Sequence, residues 1–165
     1  MIPTLIPDGP WQTVATDLFM LDNTNYLVVA DYYSKLFEVI KLGNTRSSTV
    51  VNHTTSILSR HGIPFEVRSD NGPQYTATEY QQFAKQRGFK LLTTSPYMSQ
   101  SNGLVERTVQ TINNLTQKTR DDGKDPYLSI PEYKNTPIND IGSPAQFLMS
   151  LCQLLNISVD TFFCV

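Results

Sequence analysis

The chain of 165 residues carries 15 acidic and 13 basic side chains, a formal charge of −2. With a pI near 5.6 it cannot grip nucleic acid through bulk positive charge, so any such contact has to be local or metal-assisted. Its length suits one domain with a real core, its 39% apolar content suits an ordinary globular fold, and no apolar run reaches the roughly 18 residues of a membrane span.

Met1 to Pro10 holds three prolines and Gly9, an extended lead-in without the basic start and apolar core of a signal peptide, so an intracellular chain is expected. Trp11 to Met20 is the first expected strand. Val14, Thr16 and Leu18 alternate there with Ala15, Asp17 and Phe19, so both faces should be covered, and Asp17 is the misfit. Asp22 to Asn25 makes a turn, and Tyr26 to Tyr33 and Lys35 to Leu42 continue as two further strands of an antiparallel meander. Thr49 to His61 shows a helical stripe that Gly62 should end. Phe65 to Ser69 reads as a short strand. Thr76-Ala77-Thr78-Glu79 has the form of a capping box opening a helix, with Tyr80, Phe83 and Ala84 inward and Gly88 as its stop. Phe89 to Thr93 is the last strand. From Asn102 a longer helix buries Val105, Thr108, Val109, Ile112 and Thr116. The chain after Arg120 looks irregular until Ser143-Pro144, where an N-cap and a first-turn proline start a short helix through Met149.

The expected order is therefore βββ, α, β, α, β, α, divided as a lead-in over 1–10, a core over 11–150 and a divergent apolar tail over 151–165 whose one charge is Asp160. Cys152 and Cys164 have no close Cys or His neighbours, so neither a zinc site nor a disulfide framework is expected. The sequons at Asn52, Asn114 and Asn156 read as chance matches in a chain without a signal peptide.

Three carboxylates sit oddly. Asp17 interrupts a β-forming stretch that disfavours Asp. Asp70, in VRSDNGPQY, lies where a strand ends, and open α/β sheets place ligands beyond strand ends; the competing role is to open the turn that Asn71-Gly72-Pro73 completes. Glu106 falls at the rim of the buried helical stripe, on the side of Gln110, Asn113 and Gln117, and its i+4 residue is Gln110, so a helical salt bridge does not explain it. Three carboxylates of this kind suit Mg²⁺ or Mn²⁺, hard ions that prefer oxygen ligands, and a pair of such ions about 4 Å apart serves phosphoryl chemistry.

TDLF around Asp17, SDNGPQY around Asp70 and SNGLVERTVQ around Glu106 resemble the DDE-type integrase catalytic core of retroviruses and gypsy-type retrotransposons. Thirty-five residues separate Asp70 from Glu106, as in that family, and the resemblance runs from about Trp11 to Met149 through HGIP, NTP and SPAQFLM. It implies a ribonuclease H-like α/β fold, a five-stranded mixed sheet flanked by helices in three layers. It also implies a two-metal polynucleotidyl transferase, in which Asp17, Asp70 and Glu106 hold Mg²⁺ or Mn²⁺ while element DNA ends are cut and joined to target DNA. DNA partners, a homo-oligomer without membrane attachment and a nuclear location follow from the same resemblance.

Gln100, Ser101, Asn102 and Gly103 precede the helix of Glu106, where polar groups and a helix N-terminus can meet a phosphate or simply cap the helix. Gln110 and Asn113 stand where relatives place DNA-touching lysines, and their neutrality should weaken phosphate binding. Tyr97-Met98-Ser99 also departs from the family pattern. The 165 residues include no His/His/Cys/Cys module and no C-terminal DNA-binding module, so a core alone is expected, with a frame change, read-through or truncated copy accounting for the tail. The alternative function is an impaired or co-opted retrotransposon-derived domain that binds nucleic acid or protein without integrating DNA. A host ribonuclease H is disfavoured by the Asp70 to Glu106 spacing. His53 and His61 read as surface and capping residues, Tyr32 and Tyr33 as packing residues, and Asp31 as lying outside the site.

Overall fold

The computed structural model describes residues 7–93, 103–123, 129–137 and 142–154. Strands β1 (Thr13–Leu21), β2 (Thr24–Asp31) and β3 (Phe37–Leu42) form the expected antiparallel meander. The first hairpin turns on Asp22 and Asn23, both with positive φ, at 50° and 57°. Two left-handed residues in a two-residue loop match the twist of the flanking strands, and Asp and Asn tolerate that conformation best among residues with a side chain. After α1 (Ser47–His61), β4 (Glu66–Ser69) returns parallel to β1, and β5 (Lys90–Thr93) lies parallel to β4. The sheet order is β3-β2-β1-β4-β5, with β1 in the middle.

Two apolar layers cover the two faces. On one, Val14, Leu27, Val29 and Val67 pack against Val50, Ile57 and Leu58 of α1 and against Tyr80, Phe83 and Ala84 of α3 (Thr78–Arg87). On the other, Ala15, Val28, Ala30 and Phe37 meet Val105 and Ile112 of α4 (Gly103–Asp121), flanked by Ile130 and Tyr133 of α5 (Ser129–Asn135). The strand alternation read from the sequence therefore does sort β1 between two helical layers. The result is the three-layer mixed α/β architecture that the family resemblance implies.

Several boundaries differ from the sequence reading. Thr76 does not cap a helix: it ends the short α2 (Pro73–Thr76), its hydroxyl donating to Gly72 O at 3.2 Å, and Ala77 stands at the N-cap of α3 without a side-chain bond. Pro73 won the competition for a helix start, because its fixed φ and missing N–H suit a first helical position. Helix α5 lies in the stretch read as irregular. Its Pro131 hid it, although proline is tolerated in a first turn. The helix begun at Ser143-Pro144, α6, runs to Leu154 rather than stopping at Met149. Its start is a reciprocal cap: Gln146 N–H donates to Ser143 Oγ at 3.2 Å and Ser143 N–H to Gln146 Oε1 at 2.8 Å. Gly62 and Gly88 close α1 and α3 at positive φ, as the sequence implies.

Asp31 is wholly buried at the end of β2. Its Oδ1 accepts from Trp11 N–H at 3.0 Å, and its Oδ2 from Ser34 N–H at 2.9 Å and Ser34 Oγ at 2.7 Å. It pins the lead-in to the β2–β3 connection. His61 caps nothing. It hydrogen-bonds Glu38 Oε1 at 3.0 Å and packs against the Trp11 ring at 4.4 Å.

Glu38, on the edge strand β3, also faces Lys134 of α5 at 3.5 Å and Arg60 of α1 at 3.8 Å. Burial alone would raise its pKa, but the His61 hydrogen bond and the charges of Lys134, His61 and Arg60 outweigh it and hold the carboxyl below its ordinary value. A depressed acid contributes stability that is present above its unfolded pKa and lost as pH falls through its folded one. Glu38→Gln is therefore expected to cost about 1–2 kcal/mol at pH 7, and the gap from the parent should be narrower at pH 3.5, below the ordinary value of 4.5. Urea unfolding at both pH values checks this; an equal gap at both would contradict it.

Candidate active site

The middle strand carries the first carboxylate. Asp17 lies on the α4 face of β1, between Ala15 and Phe19 of the same face, and its Oδ1 accepts from Leu18 N–H at 2.7 Å. The parallel pairing of β1 with β4 aligns Val14 with Val67 and Ala15 with Arg68. Extended by two residues, that register sets Asp17 level with Asp70, just past the end of β4. Both roles weighed for Asp70 in the sequence are compatible here, because its Oδ1 accepts from Gly72 N–H at 3.1 Å, closing the turn with one carboxylate oxygen. The turn is tight: a Cβ on Gly72 would lie 2.4 Å from Gln74 Nε2 and 3.0 Å from Asp70 Oδ1.

The turn is anchored from below. Tyr75 of α2 is fully buried, and its hydroxyl is 3.0 Å from Thr16 Oγ1, on the opposite face of β1 from Asp17. Ser47 at the start of α1 donates to Gln74 O at 2.9 Å. These two contacts tie the segment after Asp70 to the strand of Asp17 and to the crossover helix. Neither Tyr75 nor Thr16 stands out in the sequence as a support for the site; the available signal is an aromatic residue five positions after Asp70 in an otherwise polar turn.

Glu106 lies in the first turn of α4, exposed beside the buried Val105 that seats the helix on the sheet. Gln110 and Asn113 are exposed on the same helix, and Gly103 is its first residue. Gln100, Ser101 and Asn102 lie outside the described residues, as does Tyr97-Met98-Ser99.

Burial above all, with the charges of Asp70 and Glu106 and against the pull of the Leu18 N–H, raises the Asp17 pKa to about 6. Asp70 and Glu106 are thus near enough to Asp17 to repel its negative charge. Their all-oxygen chemistry suits a hard divalent cation, which would reverse that repulsion. Among the described residues, however, no three His, Cys, Asp or Glu side chains are gathered into a set that could hold a metal ion.

The folded state keeps the Asp17 proton to about pH 6, against 3.8 for the ordinary group. The ionised carboxylate therefore costs stability that sets in as pH rises through that interval. Asp17→Asn in a chelator is expected to gain about 1–2 kcal/mol at pH 7.5, roughly 2–8 °C in Tm, and almost nothing at pH 3.5. Thermal melts at the two pH values test it, and no gain at pH 7.5 would refute it.

The sheet order, the central antiparallel meander, the parallel return strands and the acidic side chains beside the middle of the sheet define a ribonuclease H-like α/β domain. The model of the family described as "Integrase core domain" matches residues 7–99. The chain belongs to that family. It is 31% identical over 115 residues to the Gag-Pro-Pol polyprotein of squirrel monkey retrovirus, covering 69% of this chain and 6% of the polyprotein. It is 30% identical over 140 residues to an uncharacterized Caenorhabditis elegans protein, covering 82% of this chain and 11% of that protein. The chain thus spans a small part of these curated relatives. Among solved structures, the catalytic core domain of BIV integrase superposes with a TM-score of 0.74 at 21% identity, covering 88% of this chain and 99% of that one. The HTLV-2 integrase catalytic core in complex with magnesium superposes at 0.68 with 23% identity, covering 85% and 97%.

Proposed function

We propose that this chain is the catalytic core of a DNA integrase, a polynucleotidyl transferase that cuts element DNA ends and joins them to target DNA with Mg²⁺ or Mn²⁺. The observation that carries the reading is the level placement of Asp17, on β1, and Asp70, just past the end of the neighbouring β4, with Glu106 close enough to raise the Asp17 pKa. Asp17, Asp70 and Glu106 would hold the ions, and a bound divalent ion there supplies charge neutralisation and an activated oxygen for phosphodiester displacement. Leu18 N–H and Gly72 N–H each occupy one oxygen of their aspartate, which fixes the carboxylates and leaves a second oxygen on each for a ligand. Gly103, Gln110 and Asn113 lie along the helix of Glu106, where they would meet the DNA backbone as neutral partners, together with Gln100, Ser101 and Asn102 before it. The DNA substrates, assembly into a homo-oligomer and action in the nucleus belong to the same proposal.

A second reading, a domain that binds nucleic acid or protein without integrating DNA, draws on the same geometry, since the three carboxylates are neighbours but not a gathered ligand set. Calorimetric titration with Mn²⁺ separates the two. Ion binding by the parent that disappears in Asp17→Asn supports the first, and a parent that binds no ion supports the second.

A further inference from the structure

The carboxylates are flanked by a group of cations that the sequence does not set side by side. Arg68 lies on β4 two residues before Asp70, and its guanidinium carbon sits 4.9 Å from the centre of the Tyr32 ring. Its Nε donates to Glu66 Oε1 at 2.7 Å. Lys35, just past the end of β2, places its ammonium 6.0 Å from the same ring and donates to Tyr32 O at 2.5 Å. Arg107, next to Glu106 on α4, is exposed and near enough for its charge to disfavour that of Lys35. Lys90 of β5 continues the row, 4.0 Å from Glu66.

Lys35 and Arg68 thus share one buried tyrosine ring, Lys90 stands by Glu66, the acid among them, and Arg107 of α4 is near enough to Lys35 for their charges to interact. Burial and Arg107 both lower the Lys35 pKa, the first more than the second, and only Asp31 opposes them. Asp31 spends both oxygens on Trp11 and Ser34. Among the described residues neither Lys35 nor Arg107 forms an ion pair with an acidic side chain. Two like charges that repel each other and lack such a partner are stabilised by an anion nearby, and a cation at an aromatic ring, as Lys35 and Arg68 are at Tyr32, keeps its orientation while meeting one.

We propose that Lys35 and Arg107, backed by Arg68 on the Tyr32 ring, form a phosphate-binding platform for a polynucleotide strand beside the carboxylates. The occupant follows from charge complementarity: a chain of net charge −2 has no general attraction for a polyanion, so a local cluster has to supply it. The platform also answers the neutrality of Gln110 and Asn113, because positive charge missing from the outer face of α4 is present at its start and on the sheet beside it. This inference rests on the integrase reading for its ligand.

The test is fluorescence anisotropy of a labelled 20-nucleotide DNA duplex, titrated in EDTA at several salt concentrations, so that no metal contributes. Arg107→Gln removes an exposed charge and Lys35→Gln the second; circular dichroism confirms folding. Lys118→Gln, near the far end of α4, is the control. The double variant is expected to lose roughly ten- to a hundredfold in affinity at 0.1 M salt and to flatten the log–log salt slope by about 1.8, two phosphate contacts' worth, while the control keeps the parent's slope. The same slope in parent and double variant overturns the platform, as does a parent that binds no DNA. Binding lost in the double variant while Asp70→Asn has no effect on DNA cutting would instead keep the platform and remove the integrase reading.

Discussion

Asp70→Asn and Glu106→Gln are each expected to cut and join labelled element-end DNA at no more than about a thousandth of the parent rate in Mg²⁺ or Mn²⁺. The figure follows from what each side chain contributes. Losing one charged oxygen ligand costs several kcal/mol of stabilisation for charge that develops on the phosphodiester, and each 1.36 kcal/mol is a factor of ten. The substitutions are close to isosteric, so the fold supplies an internal control. Asn at position 70 can still accept from Gly72 N–H through its amide oxygen, which keeps the turn, and Glu106 is exposed and carries no packing. A gel assay that found equal residual cutting in parent and both variants would remove the proposed roles of these residues.

The second large effect is on stability. Asp31→Ala is expected to cost about 3–5 kcal/mol in urea unfolding. The alanine leaves the Trp11 and Ser34 N–H groups without their acceptor in the interior, where the carboxylate now satisfies them. Asp31→Asn should cost less but not nothing, because one of its two amide atoms is a donor and both sides of this site present donors. A loss below about 1 kcal/mol for the alanine variant would show that water reaches these groups.

Asp31 also marks where sequence reading stops. No pattern selects it for the site, and its structural work is invisible in the sequence because its partners lie 20 residues before it and 3 after it. Asp17 stands out in the sequence for a simple reason: an acidic residue inside a β-forming run contradicts local propensity, and such contradictions draw attention to a position. The succession of strands along the chain follows from alternation and turn chemistry, both of which are local, whereas their order in the sheet does not. Helix α5 was missed because seven residues give less than two turns of periodicity and Pro131 argues against a helix until its position is known. Thr76 was misassigned because a four-residue capping signature fits any helix start nearby, and Pro73 had already begun one. The support beneath Asp70, through Tyr75 and Thr16, joins residues 59 apart in sequence, and no period or motif encodes such a contact.

The Glu38 cluster has one further effect, on encounters between molecules. A five-stranded open sheet has two edges, here β3 and β5, and an edge strand can recruit the strand of another chain. On β3, Glu38 is held by bases from α1 and α5, and Lys41 is exposed; β5 opens with the exposed Lys90. A foreign strand that added to either margin would have to lie beside fixed charges, so concentrated solutions of the domain are guarded against growing by sheet extension into fibrils.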